Sequence, residues 1–378
     1  MNTNSVCYIE TINKITPING ADNIELVTVG GWNAITQKEK FTVGDLVIIA
    51  TTDAIIPIEI VNELGIANYL RNETRVRTIK LRGVYSECLI IPLNICDGKI
   101  KKQLPKLIAG IDCMKLLNII KYEPPLRQIH LSNGKTFKYK DNENFKIYYK
   151  FPNIKNVSGM FDTEDTVQIT RKLHGTNSRY GFIKKQKINL WDRIKGFILG
   201  NRWFEYEFIY GSHHVEKGSE SQGFYSTDVW SNISDKFEIK NKLVSYIKNN
   251  TTPNMIGTGI TIYGEIYGAG IQSNYDYGLN GIEFAGFDIK VNDEYQPTEY
   301  TKIIFDTLQL PHVDILYVGK WSQDIQDKFV YNNYIAGTKV PHEGIVIKNI
   351  TGKRNSIAKV INPDYLIYSE KNNVSDSH

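Results

Sequence analysis

Short runs of β-branched and aliphatic residues, each cut off by a turn, fill the first 95 residues and leave no room there for a long helix. The runs are residues 7–12, 25–29, 46–51, 75–81 and 88–91. The pairs Asn19-Gly20, Gly30-Gly31, Gly44-Asp45 and Arg82-Gly83 separate them. Five short strands punctuated in this way predict a small all-β barrel. Arg71, Arg75, Arg77, Lys80 and Arg82 are interleaved with apolar residues around the fourth run. Alternation along a strand places several of these charges on one face.

With 378 residues the chain is too long for one ordinary core, and two domains are expected. Residues 96–150 form a mixed region. It holds a basic turn at 99–106 and two breakers, Glu123-Pro124-Pro125 and Ser132-Asn133-Gly134. A boundary between 125 and 145 follows. The expected division is 1–130 for the barrel and its connecting segment, 131–368 for the second domain, and 369–378 for a frayed tail.

Beyond residue 146, strands and helices intermix without a βαβ rhythm, which predicts an α+β domain on antiparallel sheets. Residues 228–249 read as a helix, with Trp230, Ile233, Phe237, Val244 and Ile247 forming its apolar stripe. Residues 298–310 read as a second helix, stopped by Pro311. Strands are expected at 167–170, 261–263, 283–287 and 344–347.

Hydrophobic residues at 41% and charged residues at 23% describe a globular chain. No apolar run approaches the roughly 18 residues that a membrane span needs. The start, Met1-Asn2-Thr3-Asn4-Ser5, lacks a basic stretch followed by an apolar one, so an intracellular protein, cytoplasmic or nuclear, is expected. Cys7, Cys88, Cys96 and Cys113 form no close pair and no zinc-type spacing, so they read as reduced, buried thiols. The net charge of +4 permits a polyanionic partner without arguing for one.

Five segments carry candidate chemistry. In Arg171-Lys172-Leu173-His174-Gly175-Thr176-Asn177, a lysine ends a strand and a glycine turn follows. A lysine nitrogen can carry a phosphoryl group reversibly, provided a neighbouring cation such as Arg171 or a metal lowers its pKa. Alone, Lys-x-x-Gly is usually a surface turn. In Tyr263-Gly264-Glu265-Ile266-Tyr267-Gly268-Ala269-Gly270-Ile271-Gln272, glycines flank a carboxylate that could bind a ribose hydroxyl. In Glu283-Phe284-Ala285-Gly286-Phe287-Asp288-Ile289, alternation sets Phe287 on the face opposite Gly286 and Asp288. There it could stack on a purine or serve as ordinary core. In His342-Glu343-Gly344-Ile345-Val346-Ile347-Lys348, Glu343 could hold a hard divalent cation. In the stretch from Ile357 to Tyr365, Lys359 stands among apolar residues, where a phosphate could partner it or water could solvate it.

Taken in order, these five segments resemble the covalent nucleotidyltransferase superfamily, in its RNA ligase branch. Lys-x-His-Gly-Thr-Asn looks like the phage type 2 and editing RNA ligases, and the run from Gly264 to Gln272 is similar to the same branch. The N-terminal strings Gly20-Ala21-Asp22-Asn23-Ile24-Glu25-Leu26, Val29-Gly30-Gly31-Trp32-Asn33 and Ile79-Lys80-Leu81-Arg82-Gly83 resemble the OB module of a nick-sealing RNA ligase family. The resemblance implies an N-terminal all-β OB-fold barrel plus an α+β adenylyltransferase domain with antiparallel sheets. It implies that Lys172 is the adenylated nucleophile. Arg171, His174, Gly175 and Asn177 would shape the nucleotide pocket. Glu265 would contact the ribose, Phe287 the adenine, and Lys359 with Lys348 the phosphates. Glu343 would organise Mg²⁺ or Mn²⁺, and ATP would be the nucleotide.

The chain departs from the family pattern twice. In Tyr210-Gly211-Ser212-His213, His213 stands where relatives carry Arg. Near the end, one lysine, Lys359, replaces a Lys-x-Lys pair, so Lys348 or Lys353 would supply the missing charge. The implied partner is RNA or an RNA-containing nicked duplex, with a monomeric enzyme and no membrane. Arg75, Arg77, Lys80, Arg82 and His213 are the candidate nucleic-acid contacts, a solvated face being the equal alternative for the four on the barrel. Two other activities stay open. A capping guanylyltransferase would use GTP, with the OB module after the catalytic domain and Asp in place of His174. An RNA-binding module with a degenerate ligase domain would form no adduct.

Overall fold

The computed structural model describes residues 5–96, 107–122, 142–157, 159–186, 188, 190–191, 194, 198, 202–212, 216–217, 228–252, 257–350 and 356–374. The expected boundary near 130 and the two breakers at 123–125 and 132–134 lie outside these residues.

The N-terminal module is built on a five-stranded antiparallel sheet. Its strands are β1 (Cys7–Pro17), β2 (Ile24–Val29), β3 (Trp32–Gln37), β4 (Leu46–Thr51) and β8 (Cys88–Ile91), in the order β3-β2-β1-β4-β8. A bulge between Ile12 and Lys14 bends β1. Its first half then pairs with β4 and its second half with β2. The sheet curls until its edges meet, where the Glu87 N–H donates to the Asn33 carbonyl at 2.7 Å and the Ile35 N–H to the Ser86 hydroxyl at 3.1 Å. One face fills the barrel with Tyr8, Val27, Trp32, Val47, Ile49 and Ile90. The other buries Cys7, Ile9, Ile48 and Ala50 beneath the helix Ile58–Leu64. Cys7, Cys88 and Cys113 are buried free thiols, and the Cys96 side chain lies outside the described set.

Two small pairs complete the module. β5 (Ala54–Ile55) meets β9 (Ile120–Lys121), and β6 (Ile79–Leu81) turns into β7 (Val84–Ser86). The run expected at 75–81 is therefore a strand only at its end. Arg82 and Gly83 both take positive φ in the hairpin turn, as a tight two-residue turn requires.

The second domain carries two larger antiparallel sheets. One has the order β17-β10-β18-β19, from Ile315–Lys320, Thr166–Lys172, Gly344–Asn349 and Ile357–Ile361. The other runs β13-β12-β11-β14-β15-β16, from Glu216–Lys217, Tyr206–Gly211, Thr176–Lys184, Gly259–Gly268, Ile282–Val291 and Glu294–Tyr295. The first sheet packs Val167, Ile169, Ile345, Ile347, Ala358 and Val360 on one side. The second packs Tyr180, Ile260, Ile262, Ile266, Phe284 and Ile289 against helices.

The helix expected at 228–249 is two helices, Val229–Lys236 and Ile239–Asn250, with Glu238 in the left-handed region between them. At 100° per residue, Ile239 would fall well round a continuous helix from Ile233. The break re-phases the stripe, so Ile233 and Leu243 reach the same core. The helix Thr298–Thr307 stops before residue 310, because Gln309 turns left-handed and the Leu310 N–H caps on Phe305.

The two domains meet along the C-terminal helix Pro363–Lys371, which extends into the expected tail. Lys155 forms a part-buried ion pair with Glu87, and the Tyr85 ring stacks on Tyr331 at 5.9 Å. Among the described residues, no helix is long and apolar enough to cross a membrane.

Candidate active site

Lys172 is the last residue of β10, so its backbone is fixed by the sheet while its side chain stands at the edge. Strand register sets its neighbours. Lys172, Gly344 and Ile361 lie in one row across β10, β18 and β19; Thr170, Val346 and Lys359 form the next row, and Gln168, Lys348 and Ile357 the third. These rows share the face opposite the apolar packing, so three lysines line it. On the second sheet, Asn177, Glu265 and Ala285 form a row on the face away from its core.

Glu343 closes the arrangement. Its Oε1 receives a hydrogen bond from Lys172 Nζ at 2.5 Å. Burial pushes its carboxyl up, but the charges of Lys172, His174 and Lys359 outweigh burial and hold it below the ordinary value. Its Oε2 is buried and has no hydrogen-bond partner among the described residues. Asn362, fully buried, donates its N–H to the Glu343 carbonyl at 2.8 Å and fixes the residue from behind. Gly344 allows the strands to meet, since a Cβ there would lie 2.1 Å from the Val360 carbonyl.

Glu265 lies beside this pair. Burial raises its carboxyl to about 8; Lys172 opposes the shift, Glu343 adds to it, and a hydrogen bond from the Gly175 N–H opposes it. Gly175 is demanded by space, because a Cβ there would sit 2.2 Å from the Ile266 carbonyl. The Gln272 amide donates to the Gly175 carbonyl at 2.6 Å and the His174 N–H to the Tyr277 hydroxyl at 2.6 Å. The His174 ring is buried, packed edge-on to Tyr275 at 5.3 Å. Asn177 keeps a buried Oδ1 without a hydrogen-bond partner among the described residues, in the same row as Glu265.

Three placements differ from the sequence expectation. Arg171 is not beside the Lys172 ammonium: alternation turns it to the other face, where it binds Asp314 at 3.0 Å and Asn333 at 3.3 Å. Phe287 and Asp288 are not on opposite faces. The register slips between Tyr263 and Gly264, which makes Phe287 the extra residue of a bulge. Tyr148 touches both, with its ring 4.9 Å from Phe287 and its hydroxyl donating to Asp288 at 2.8 Å. Lys348 is not open to a phosphate. Its Nζ donates to the Phe287 carbonyl at 2.9 Å and to Asp288 at 3.2 Å, clamping the bulge across the two sheets.

The barrel charges are dispersed rather than aligned. Arg75 binds Asp53 and stacks on Tyr122 at 3.6 Å. Arg77 binds Glu370 at 2.8 Å, and Lys80 reaches Asp364 at 3.4 Å, so both hold the barrel to the C-terminal helix. Arg82 is exposed at the hairpin tip. His213 and Lys353 lie outside the described residues. Sequence reading passed over Gln272 as a site residue, although it stood inside a quoted motif. Asp288 stood in the third segment only as a mark of the face opposite Phe287, and Tyr148 and Tyr277 carry no sequence signal.

Among the described residues, no three His, Cys, Asp or Glu side chains cluster as a metal cage. The residues instead suit a hydrated hard cation. One buried carboxylate with a spare oxygen, completed by substrate phosphates and water, is how Mg²⁺ is commonly held.

The RNA ligase family matches residues 165–361 of this chain, and an OB-fold domain family matches residues 6–93. No curated protein matches. Solved structures of Naegleria gruberi RNA ligase share the fold. An apo mutant is 21% identical, covering 98% of this chain and 100% of that one, with a TM-score of 0.69. A mutant with ATP and Mn is 20% identical, covering 97% and 99%, with a TM-score of 0.70. The enzyme with PPi is 20% identical, covering 97% and 99%, with a TM-score of 0.68.

Proposed function

Because this chain belongs to the RNA ligase family, we propose that it activates ATP on Lys172 and seals RNA ends in duplexes. The observation that carries this reading is the cluster of Lys172, Glu343 and Glu265 at the edge of two facing sheets, with Phe287 and Lys359 on the same cleft. The Naegleria structures that hold ATP, AMP, PPi and Mn support the nucleotide and the cation.

The chemistry is three phosphoryl transfers. Lys172 Nζ attacks the α-phosphorus of ATP, a P–N bond forms, and pyrophosphate leaves. A 5′-phosphate oxygen then attacks the lysyl-bound AMP, the P–N bond breaks, and a 5′–5′ adenylylated end results. The 3′-OH attacks the activated 5′-phosphorus, loses its proton, and expels AMP. Positioning and charge neutralisation govern each step.

The residues divide this work. Glu343 holds the Lys172 ammonium until substrate enters and would hold a hydrated Mg²⁺ or Mn²⁺ through its spare oxygen. That cation, when bound, would supply positive charge to the phosphates and favour the neutral amine. Glu265 binds the ribose, Phe287 stacks on adenine, and Lys359 faces the α-phosphate. Asn177 offers its buried oxygen to the nucleotide. The nucleic acid is RNA or an RNA-containing nicked duplex, and the division of the chain near residue 130 separates the duplex-binding module from the catalytic one.

Incubation with α-labelled ATP and Mn²⁺ tests this reading. Wild-type protein acquires one covalent AMP, located at Lys172 by mass spectrometry, and Lys172→Ala acquires none. Labelling of the Ala variant would assign the nucleophile elsewhere. Labelling by GTP in preference to ATP would favour the capping reaction.

A further inference from the structure

The chain between β14 and β15 grips the turn after Lys172 at two points. The Gln272 amide holds the Gly175 carbonyl, and the Tyr277 hydroxyl takes the His174 N–H at 2.6 Å. The second contact does not end there. The Tyr277 ring packs edge-on against that of Tyr275 at 4.8 Å, and the Tyr275 hydroxyl donates to the Pro341 carbonyl at 2.7 Å. Pro341 is two residues before Glu343. This chain of contacts therefore starts two residues after the nucleophile and ends two residues before its carboxylate partner.

The rings are fixed as firmly as the hydroxyls. Tyr277 lies between Tyr267 and Tyr275, with centroids at 5.0 and 4.8 Å and both contacts edge-on. Tyr275 packs on His174 and Tyr365. Tyr277 pays for its place with a left-handed backbone, φ 60°, which is uncommon for a bulky side chain and tends to occur where geometry matters. A turn anchored by Asp276, whose carboxylate accepts the Gly278 N–H at 2.9 Å, holds it there. Burial first, then Tyr275 and the charges of Glu343 and Glu265, keep the phenol protonated.

We propose that Tyr277 and Tyr275 are positioning residues that tie the loop carrying Glu343 to the turn after Lys172 and so set the geometry of attack on the α-phosphorus. Neither hydroxyl touches the reacting atoms. Their bonds decide how closely amine, carboxylate and phosphate align, and attack rates fall steeply with misplacement. The inference rests on Lys172 being the adenylated residue. It adds to that reading two side chains that none of the five motif segments contains.

The test is single-turnover adduct formation with α-labelled ATP and Mn²⁺, run on wild type, Tyr277→Phe, Tyr275→Phe and the double variant. Phe keeps each ring and removes one hydroxyl. Tyr277→Phe is expected to slow labelling at saturating ATP about tenfold, with the half-saturating ATP concentration changed by less than about twofold. The double variant is expected to be no slower than the worse single, because both changes cut the same chain of contacts. Labelling by Tyr277→Phe at the wild-type rate, or losses that multiply in the double variant, would overturn the inference. So would a change confined to ATP affinity. Should Tyr277→Phe not fold, Tyr275→Phe reads the same relay from its other end. No adduct on wild type overturns the lysyl-AMP reading and this inference with it; normal labelling of the variants overturns this inference alone.

Discussion

Glu265 shows how one carboxyl can be tuned by its surroundings. Burial lifts it to about 8 from an ordinary 4.5, with Lys172 opposing and Glu343 assisting. Between those two values the folded protein keeps a proton that the unfolded chain releases. Stability therefore falls as pH rises through that window. The contribution is on the order of a few kcal/mol for a buried group shifted this far. Glu265→Gln removes the titration, so wild type is expected to lose thermal midpoint from about pH 5 to about pH 8 more steeply than the variant. Parallel curves in a thermal melt would show that burial does not govern this carboxyl. His342, next to Glu343, is the reverse case: burial, then Arg171, push its imidazole down to about 4. It stays neutral at physiological pH, so it adds no positive charge beside the Lys172–Glu343 pair.

The bulge in β15 is what brings Phe287 and Asp288 to the cleft together, and the Lys348–Asp288 pair holds it. Asp288 is 1% exposed and also accepts from Tyr148 and the Ile289 N–H. Lys348→Met would strand that carboxylate without its cation, at a cost of about 3–5 kcal/mol. Adding Asp288→Asn should recover much of the loss. Urea midpoints of the two variants check this, and equal midpoints would break the pairing argument. The sequence could not show this element. The 283–287 run announced a strand, but the extra residue is decided by where Tyr263 and Gly264 pair, on a strand 20 residues earlier. Elements whose information is local were legible. The runs 46–51 and 88–91 are β4 and β8 to the residue. By contrast β3, Trp-Asn-Ala-Ile-Thr-Gln, has only Ile35-Thr36 as a β-branched pair beside Asn33 and Ala34, and forms because the Gly30-Gly31 turn folds it back on β2. The break at Glu238 escaped notice because each half of the helix has a sound stripe of its own, and only the sheet beneath fixes their relative phase.

At the scale of the whole molecule, the linear order of Lys172, Glu265, Phe287, Glu343 and Lys359 was readable, since each sits in a short string with its own glycines or apolar flanks. The docking of the two domains was not, because it is made of pairs remote in sequence. Arg77 meets Glu370, and Lys80 shares Asp364 with Tyr85 and Tyr334. Alternation had gathered these cations onto one open face, whereas two of them are spent on the C-terminal helix. That division separates two effects of removing charge. Arg82, exposed at the hairpin tip, is a cation open to a phosphate. Arg82→Ala is expected to weaken binding of a nicked RNA-containing duplex a few-fold and to lower the slope of log affinity against log salt by about one, without altering the fold. Arg77→Ala leaves Glu370 without its cation and should loosen the barrel from the helix, seen as faster proteolytic cleavage between the domains. Its effect on duplex affinity should then change little with salt. If Arg77→Ala instead lowers the salt slope as Arg82→Ala does, the guanidinium leaves Glu370 for a phosphate when RNA binds. The interdomain pair would then be a feature of the RNA-free enzyme alone.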